Sequence, residues 1–224
     1  MRDAAWIAEI LDRAARHELV ARTLDLRTGA VAIEPAARGE RFEFDGARVR
    51  TLFGPRWRLV IIGAGQLSRA LAGMALALDF EIVCCDPREE YHVTWDVPGT
   101  EFSREMPDDL VLRLQLDPHS AVVALTHDPK LDDMALLEAL KSRAFYIGAL
   151  GSRANTARRK ERLAMFDLDP HEIDRLHGPV GLDLGARTPA EIAVAILAEI
   201  VAVKNEVVVV QKKAGSAVAG ATHD

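Results

Sequence analysis

The 224-residue chain is 49% hydrophobic and 28% charged, the composition of a water-soluble globular protein with one ordinary domain and room for a small appendage. A formal net charge of -6 excludes general nucleic-acid binding, which needs a basic face to displace counterions. No apolar run is long enough to cross a bilayer, and the only cysteines are the adjacent Cys84 and Cys85, so a cytoplasmic protein with no membrane partner is expected.

Residues 3–19 read as an amphipathic helix with Ile7, Ile10, Leu11, Ala14 and Ala15 on one stripe. From Val20 to Phe53 the pattern changes to short β-prone runs at 24–26, 30–33, 41–44 and 48–53, with Asp45-Gly46 as a hairpin signal between the last two. Residues 1–52 are therefore expected to form a small α+β appendage. The Gly54-Pro55 break introduces a main domain over 53–205, and a frayed tail is expected over 206–224.

The main domain opens on an apolar strand from Trp57 to Ile62 that runs into Gly63, Ala64, Gly65, Gln66, Leu67 and Ser68. Gly63 suits a tight turn, Gly65 suits close backbone approach of a pyrophosphate, and the following helix (66–79) offers the positive end of its dipole to that anion. A second strand, 81–85, ends at Asp86, and 87–105 reads as irregular and polar. Then come a short helix at 107–113, a strand at 121–125, a helix at 132–143, a strand at 144–147 and a basic helix after Ser152. Asp169-Pro-His-Glu172 and Thr188-Pro-Ala-Glu191 are capping boxes opening two further helices, the last reaching about Lys204. Alternating elements of this kind predict a doubly wound, Rossmann-like, mainly parallel sheet.

In such sheets ligands bind beyond the carboxyl ends of the strands. The loops expected there carry the glycines Gly63 and Gly65; Asp86 and Arg88; Thr126, His127 and Asp128; Gly148, Leu150, Gly151, Ser152 and Arg153; and His177, Gly181 and Asp183. Asp86 lies at the spacing at which an acid takes both hydroxyls of an adenosine-type ribose, and its charge disfavours NADP. His127 reads either as an acid, base or hydrogen-bonding ligand holder, or as a bystander in a turn shaped by its neighbours; His177 leaves the same alternatives. Arg158 to Arg162 read as a solvated basic helix face, and Cys85 as a small buried strand residue.

The runs Val60–Gln66, Leu125–Pro129, Tyr146–Arg153 and His177–Pro189 resemble the C-terminal domain of the XdhC/CoxI family, over roughly Phe53 to Val203. Members of that family are accessory proteins of xanthine dehydrogenase and related molybdenum hydroxylases. The resemblance implies a non-catalytic helper that binds molybdenum cofactor (molybdopterin, including its dinucleotide form) through the loop residues named above. It implies protection of the cofactor during sulfuration and delivery to the apo-hydroxylase, with a cysteine desulfurase as a further partner and no protein-bound metal. Residues 1–52 lack the glycine and cysteine motifs of the family's N-terminal domain, so a shortened paralogue with a narrower task is expected. The alternatives are an NAD-dependent oxidoreductase and an NAD-binding sensor, and part of the apolar last helix suits a homodimer contact.

Overall fold

The computed structural model describes residues 5–15, 18–36, 40, 42–53 and 57–208. Helix α1 (Ala5–Ala15) buries Ile10 but leaves Ile7 44% and Leu11 65% exposed, so the expected stripe is only partly a core face. Four strands follow: β1 (Val20–Asp25), β2 (Val31–Pro35), β3 (Glu43–Phe44) and β4 (Arg48–Phe53). They pair antiparallel in the order β2-β1-β4-β3. The Asp45 carboxylate closes the β3–β4 hairpin by accepting from the N–H groups of Ala47 (2.9 Å) and Arg48 (2.7 Å). The break at Gly54-Pro55 and the tail from residue 209 onward lie outside the described residues.

The main sheet contains β5 (Arg58–Ile62), β6 (Glu81–Cys85), β7 (Glu101–Ser103), β8 (Ser120–Ala124), β9 (Tyr146–Ala149) and β10 (Leu176–His177). All neighbouring strands are parallel, in the order β10-β9-β8-β5-β6-β7. The chain runs outward from β5 to β7, returns to β8 beside β5, and runs outward again to β10. That reversal between β5 and β8 is the switch point at which doubly wound sheets open a ligand crevice.

Both faces of the sheet are covered, which is why β5, β6 and β8 are nearly continuous apolar runs. Leu59, Ile61, Ile82 and Val123 face a core built with α2 (Gln66–Leu76) and α8 (Pro189–Lys204), where the small side chains of Ala72, Ala75 and Ala193 are buried. Val60, Ile62, Val83 and Val122 face the other core, built with α4 (Pro107–Leu114) and α5 (Pro129–Lys141). Helices α6 (Arg153–Leu163) and α7 (Pro170–Asp174) bring Leu163 and Ile173 into that same core. Both capping boxes form, at Asp169 with Glu172 and at Thr188 with Glu191.

Three local expectations change. The segment 87–105 is not wholly irregular, because it contains α3 (Glu89–His92) and the edge strand β7, both too short to show a period. Strand β9 extends to Ala149 and includes Gly148. A Cβ at Gly148 would lie 2.5 Å from Val180 Cγ2 and 2.9 Å from Tyr146 Cε1, so close packing rather than a turn requires this glycine. Helix α5 starts at Pro129, three residues earlier than expected, because the Asp128 side chain caps it by accepting from the Lys130 N–H at 2.9 Å.

Candidate functional site

Because every strand of the main sheet points the same way, the segments after β5, β6, β8, β9 and β10 emerge on one edge. Gly63 has φ +100°, and a Cβ there would stand 2.9 Å from both the N and Cα of Thr126. This glycine therefore lets the loops after β5 and β8 touch at the switch point. Gly65 differs: it is the N-cap of α2 in extended backbone, and a Cβ on it would meet nothing within 4 Å. Gln66 beside it is exposed, Leu67 packs partly against the α2–α8 core, and Ser68 is buried with its hydroxyl unpartnered.

Asp86 is fully buried behind this loop. Its Oδ2 accepts the Ala64 N–H at 3.0 Å and Arg88 Nη2 at 2.8 Å, and its Oδ1 accepts Arg88 Nε at 2.9 Å. Arg88 in turn lies over the Tyr91 ring, 4.2 Å from its centroid. The carboxylate expected at a ribose is thus held inside the protein.

After β8, the buried Thr126 hydroxyl accepts the Asp128 N–H at 2.9 Å and donates to Asp132 Oδ1 at 2.7 Å. The turn leaves His127 exposed in left-handed backbone, φ +63°. Asp132 Oδ2 accepts from Arg159 Nη2 at 2.9 Å, and Arg159 also donates to Asp133 at 3.1 Å and to the Leu150 carbonyl at 3.2 Å. Arg159 is only 8% exposed, so the solvated reading of the 158–162 run is corrected at this position. Burial pushes the Asp132 carboxyl above its usual range, against the opposing pull of the Thr126 hydrogen bond and the Arg159 charge. This network ties the 126–128 turn to the 150–153 loop.

The Leu150 N–H donates to the Ala124 carbonyl, and Ser152 caps α6 through the Asn155 N–H at 3.2 Å. The Gly178–Pro179 bond that follows β10 is cis. Beyond it, the Val180 N–H is held by the Ala149 carbonyl and the Leu182 N–H by that of Ala195. Glu199 of α8 gathers three donors here: Tyr146 Oη at 2.5 Å, the Gly181 N–H at 2.7 Å and His177 Nδ1 at 3.1 Å. His177 also stacks on Tyr146 with ring centroids 4.4 Å apart. Burial alone would raise the Glu199 carboxyl, but the hydrogen bonds from His177, Tyr146 and Gly181 prevail and hold it below the usual range. Burial and the neighbouring Glu199 push the Tyr146 phenol well above its usual value.

Two cavities flank Leu150. One of about 450 Å³ lies between the 179–186 loop and α8, with Arg153, Gly181, Asp183 and Glu199 in its wall. The other, of about 300 Å³, is walled by His127, Gly151, Asn155, Arg158 and Arg162. Among the described residues no group of three His, Cys, Asp or Glu side chains stands ready to hold a metal ion. Cys84 and Cys85 are both buried; burial and the adjacent Asp86 push the Cys85 thiol up to about 12.

The strand-end residues singled out from the sequence all lie on this edge, whereas Glu199, Asp132 and Arg159 were not singled out. Glu199 had a readable signal, a lone charge within the apolar run 192–203. Arg159 had none, because Arg158, Lys160 and Arg162 around it look alike in sequence.

Residues 59–200 match the family model of the XdhC Rossmann domain. A Bacillus subtilis (strain 168) protein, named as a probable subunit of xanthine dehydrogenase, is 32% identical over 157 residues, covering 70% of this chain and 46% of that protein. The molybdenum cofactor insertion chaperone PaoD of Escherichia coli (strain K12) is 24% identical over 204 residues, covering 91% of this chain and 57% of that one. A crystal structure of a Bacillus halodurans protein named as a xanthine dehydrogenase shares the fold with a TM-score of 0.70 at 24% identity, over 95% of this chain and 66% of that one. The chain spans 46% and 57% of the lengths of the two sequence relatives.

Proposed function

Since the chain belongs to the XdhC family through its Rossmann domain, we propose that it binds molybdenum cofactor and assists its sulfuration and insertion into a xanthine dehydrogenase-type molybdenum hydroxylase. The loops bearing Gly63 to Leu67, Thr126 to Asp128, Gly148 to Arg153 and His177 to Asp183, with Asp86 and Arg88 behind the first, would enclose the cofactor at the carboxyl edge of the sheet. The observation that carries this reading is the cavity of about 450 Å³ at that edge, whose wall mixes Arg153, Asp183 and Glu199 with Leu150 and Ile192.

The residues present fit such a ligand. A pterin presents ring N–H donors and acceptors, which Asp183 and the backbone of the 179–186 loop can match, and its ring faces suit the apolar wall. The bound cofactor supplies the molybdenum centre that the client enzyme uses. This chain's own part is to orient and to shield: Arg159 fixes the Leu150 ridge, and Glu199 fixes Tyr146, His177 and the Gly181 backbone. With Glu199 ionised, His177 donates to it from Nδ1, so Glu199 sets the orientation of the imidazole.

Sulfuration needs a reactive sulfur donor. The buried Cys84 and Cys85 thiols, both raised by burial, are poor candidates, which favours a separate cysteine desulfurase as the source. The NAD-binding alternatives need a ribose at Asp86, and both carboxylate oxygens there are already occupied by Arg88 and Ala64.

A handover assay tests the proposal. Apo-hydroxylase mixed with free molybdenum cofactor and a sulfur donor should regain activity faster when this chain is present, with no NADH consumed. Substrate-dependent oxidation of NADH by the chain alone, with no effect on reconstitution, would overturn it.

A further inference from the structure

We infer that the anionic end of the ligand, a phosphate monoester or diphosphate, seats in the cavity walled by His127, Asn155, Arg158 and Arg162, and not on the glycine loop; this rests on the cofactor reading above. Two backbone donors of the glycine loop are already in use. The Gly63 N–H donates to the Cys85 carbonyl at 2.7 Å and the Ala64 N–H to the Asp86 carboxylate at 3.0 Å. Asp86, paired with Arg88, takes the Ala64 N–H from inside, so a diphosphate on this loop would have only the N-terminal N–H groups of α2 left to it.

The cavity between α5 and α6 has the opposite character. Arg158, Arg159 and Arg162 stand in its wall with one carboxylate, Asp132. Arg159 pairs with Asp132 (2.9 Å) and Asp133 (3.1 Å), and Arg162 with Asp133 (2.8 Å). Three guanidiniums against two carboxylates leave one positive charge, and among the described residues Arg158 has no carboxylate partner. An uncompensated guanidinium in a cavity of about 300 Å³, on a chain of net charge -6, is a local reversal of sign that suits a phosphate. Exposed His127 and Asn155 at the start of α6 add donors on either side.

Leu150 lines both this cavity and the larger one, and Arg159 Nη1 fixes its carbonyl at 3.2 Å. A ligand with a heterocycle at one end and a phosphate at the other can therefore lie across Leu150, ring toward the 179–186 loop and phosphate toward Arg158.

The test is calorimetric titration of the full chain with inorganic pyrophosphate in magnesium-free buffer, and with molybdenum cofactor in parallel. Wild type should bind pyrophosphate, Arg158→Glu should bind it at least about tenfold more weakly, and Arg158→Lys should recover most of the loss. Gly65→Val puts a side chain where an anion on the glycine loop would approach the backbone, and the Cβ itself meets no protein atom within 4 Å, so pyrophosphate should still bind this variant if it seats at Arg158. No pyrophosphate binding by wild type would overturn the inference, as would loss in Gly65→Val with retention in Arg158→Glu. Cofactor bound equally by wild type and Arg158→Glu would overturn it while leaving the cofactor reading intact. Pyrophosphate bound through Arg158, with no cofactor bound by any variant, would support the anion seat and overturn the cofactor reading.

Discussion

The guanidinium of Arg88 closes over the carboxylate of Asp86, with Nη2 2.8 Å from Oδ2 and Nε 2.9 Å from Oδ1. Asp86 has no solvent exposure, so this pair, with the Ala64 N–H, is what allows a charge to stand at the end of β6. Removing the guanidinium leaves a buried carboxylate half-satisfied. Arg88→Met should therefore cost about 3 kcal/mol in denaturant unfolding, and Arg88→Met combined with Asp86→Asn should recover part of it.

Gly63 and Gly65 should respond oppositely to alanine. Gly63→Ala imposes φ +100° on a residue with a side chain and drives its Cβ to 2.9 Å from the Thr126 backbone. The strain alone is about 1–3 kcal/mol, and the clash adds to it. Gly65→Ala meets nothing within 4 Å and should shift stability by less than about 1 kcal/mol. Chemical denaturation of the two variants side by side decides this.

Glu199 gives a pH dependence with a definite sign. Its folded pKa is lowered, so its contribution is present above the ordinary glutamate pKa and is lost as pH falls through the folded value. Glu199→Gln should cost about 1–3 kcal/mol at neutral pH and flatten this part of the acid limb of a stability–pH curve. An acid limb identical to that of wild type would show that Glu199 does not hold the cluster of Tyr146, His177 and Gly181.

Arg159 bonds to Asp132, Asp133 and the Leu150 carbonyl at once, and it is nearly buried. Arg159→Met should cost about 3–5 kcal/mol at neutral pH, because Asp132 then stands buried without its cation. The Asp132 pKa is already raised by burial, and a raised carboxyl favours the folded state at low pH and disfavours it as pH rises through its folded pKa. The deficit of the variant should therefore shrink on acidification, as thermal melts across the pH range would register.

Cys84 and Cys85 should be silent toward thiol reagents in the native protein at mildly alkaline pH. Both are buried, and the Cys85 thiol is pushed up to about 12. A disulfide-exchange reagent should titrate both thiols only after unfolding. Rapid native labelling of either would revive them as sulfur carriers.

The fold was largely legible because its signals are backbone-scale. The apolar runs at 58–62, 81–85 and 120–124 need both faces covered, and capping boxes mark two helix starts. Short elements escaped: β7 and β10, three and two residues long, carry no period. The strand-end loops were legible as a group because a parallel sheet sends all of them to one edge. Which side chains act within that edge was less so. Asp86 stood at the position of a ribose acid, yet Arg88, two residues on, turns back onto it. Arg159 is one of four basic residues in five positions, and only the placement of Asp132 and Asp133 on α5 distinguishes it.

The most direct measurement is equilibrium binding of molybdenum cofactor by gel filtration, with pterin fluorescence and molybdenum followed together in the protein peak. Pterin and metal should coelute with the wild-type chain near one equivalent, with no retention of NADH. Elution of all the pterin as free small molecule, or retention of NADH in its place, would contradict a cofactor-binding role.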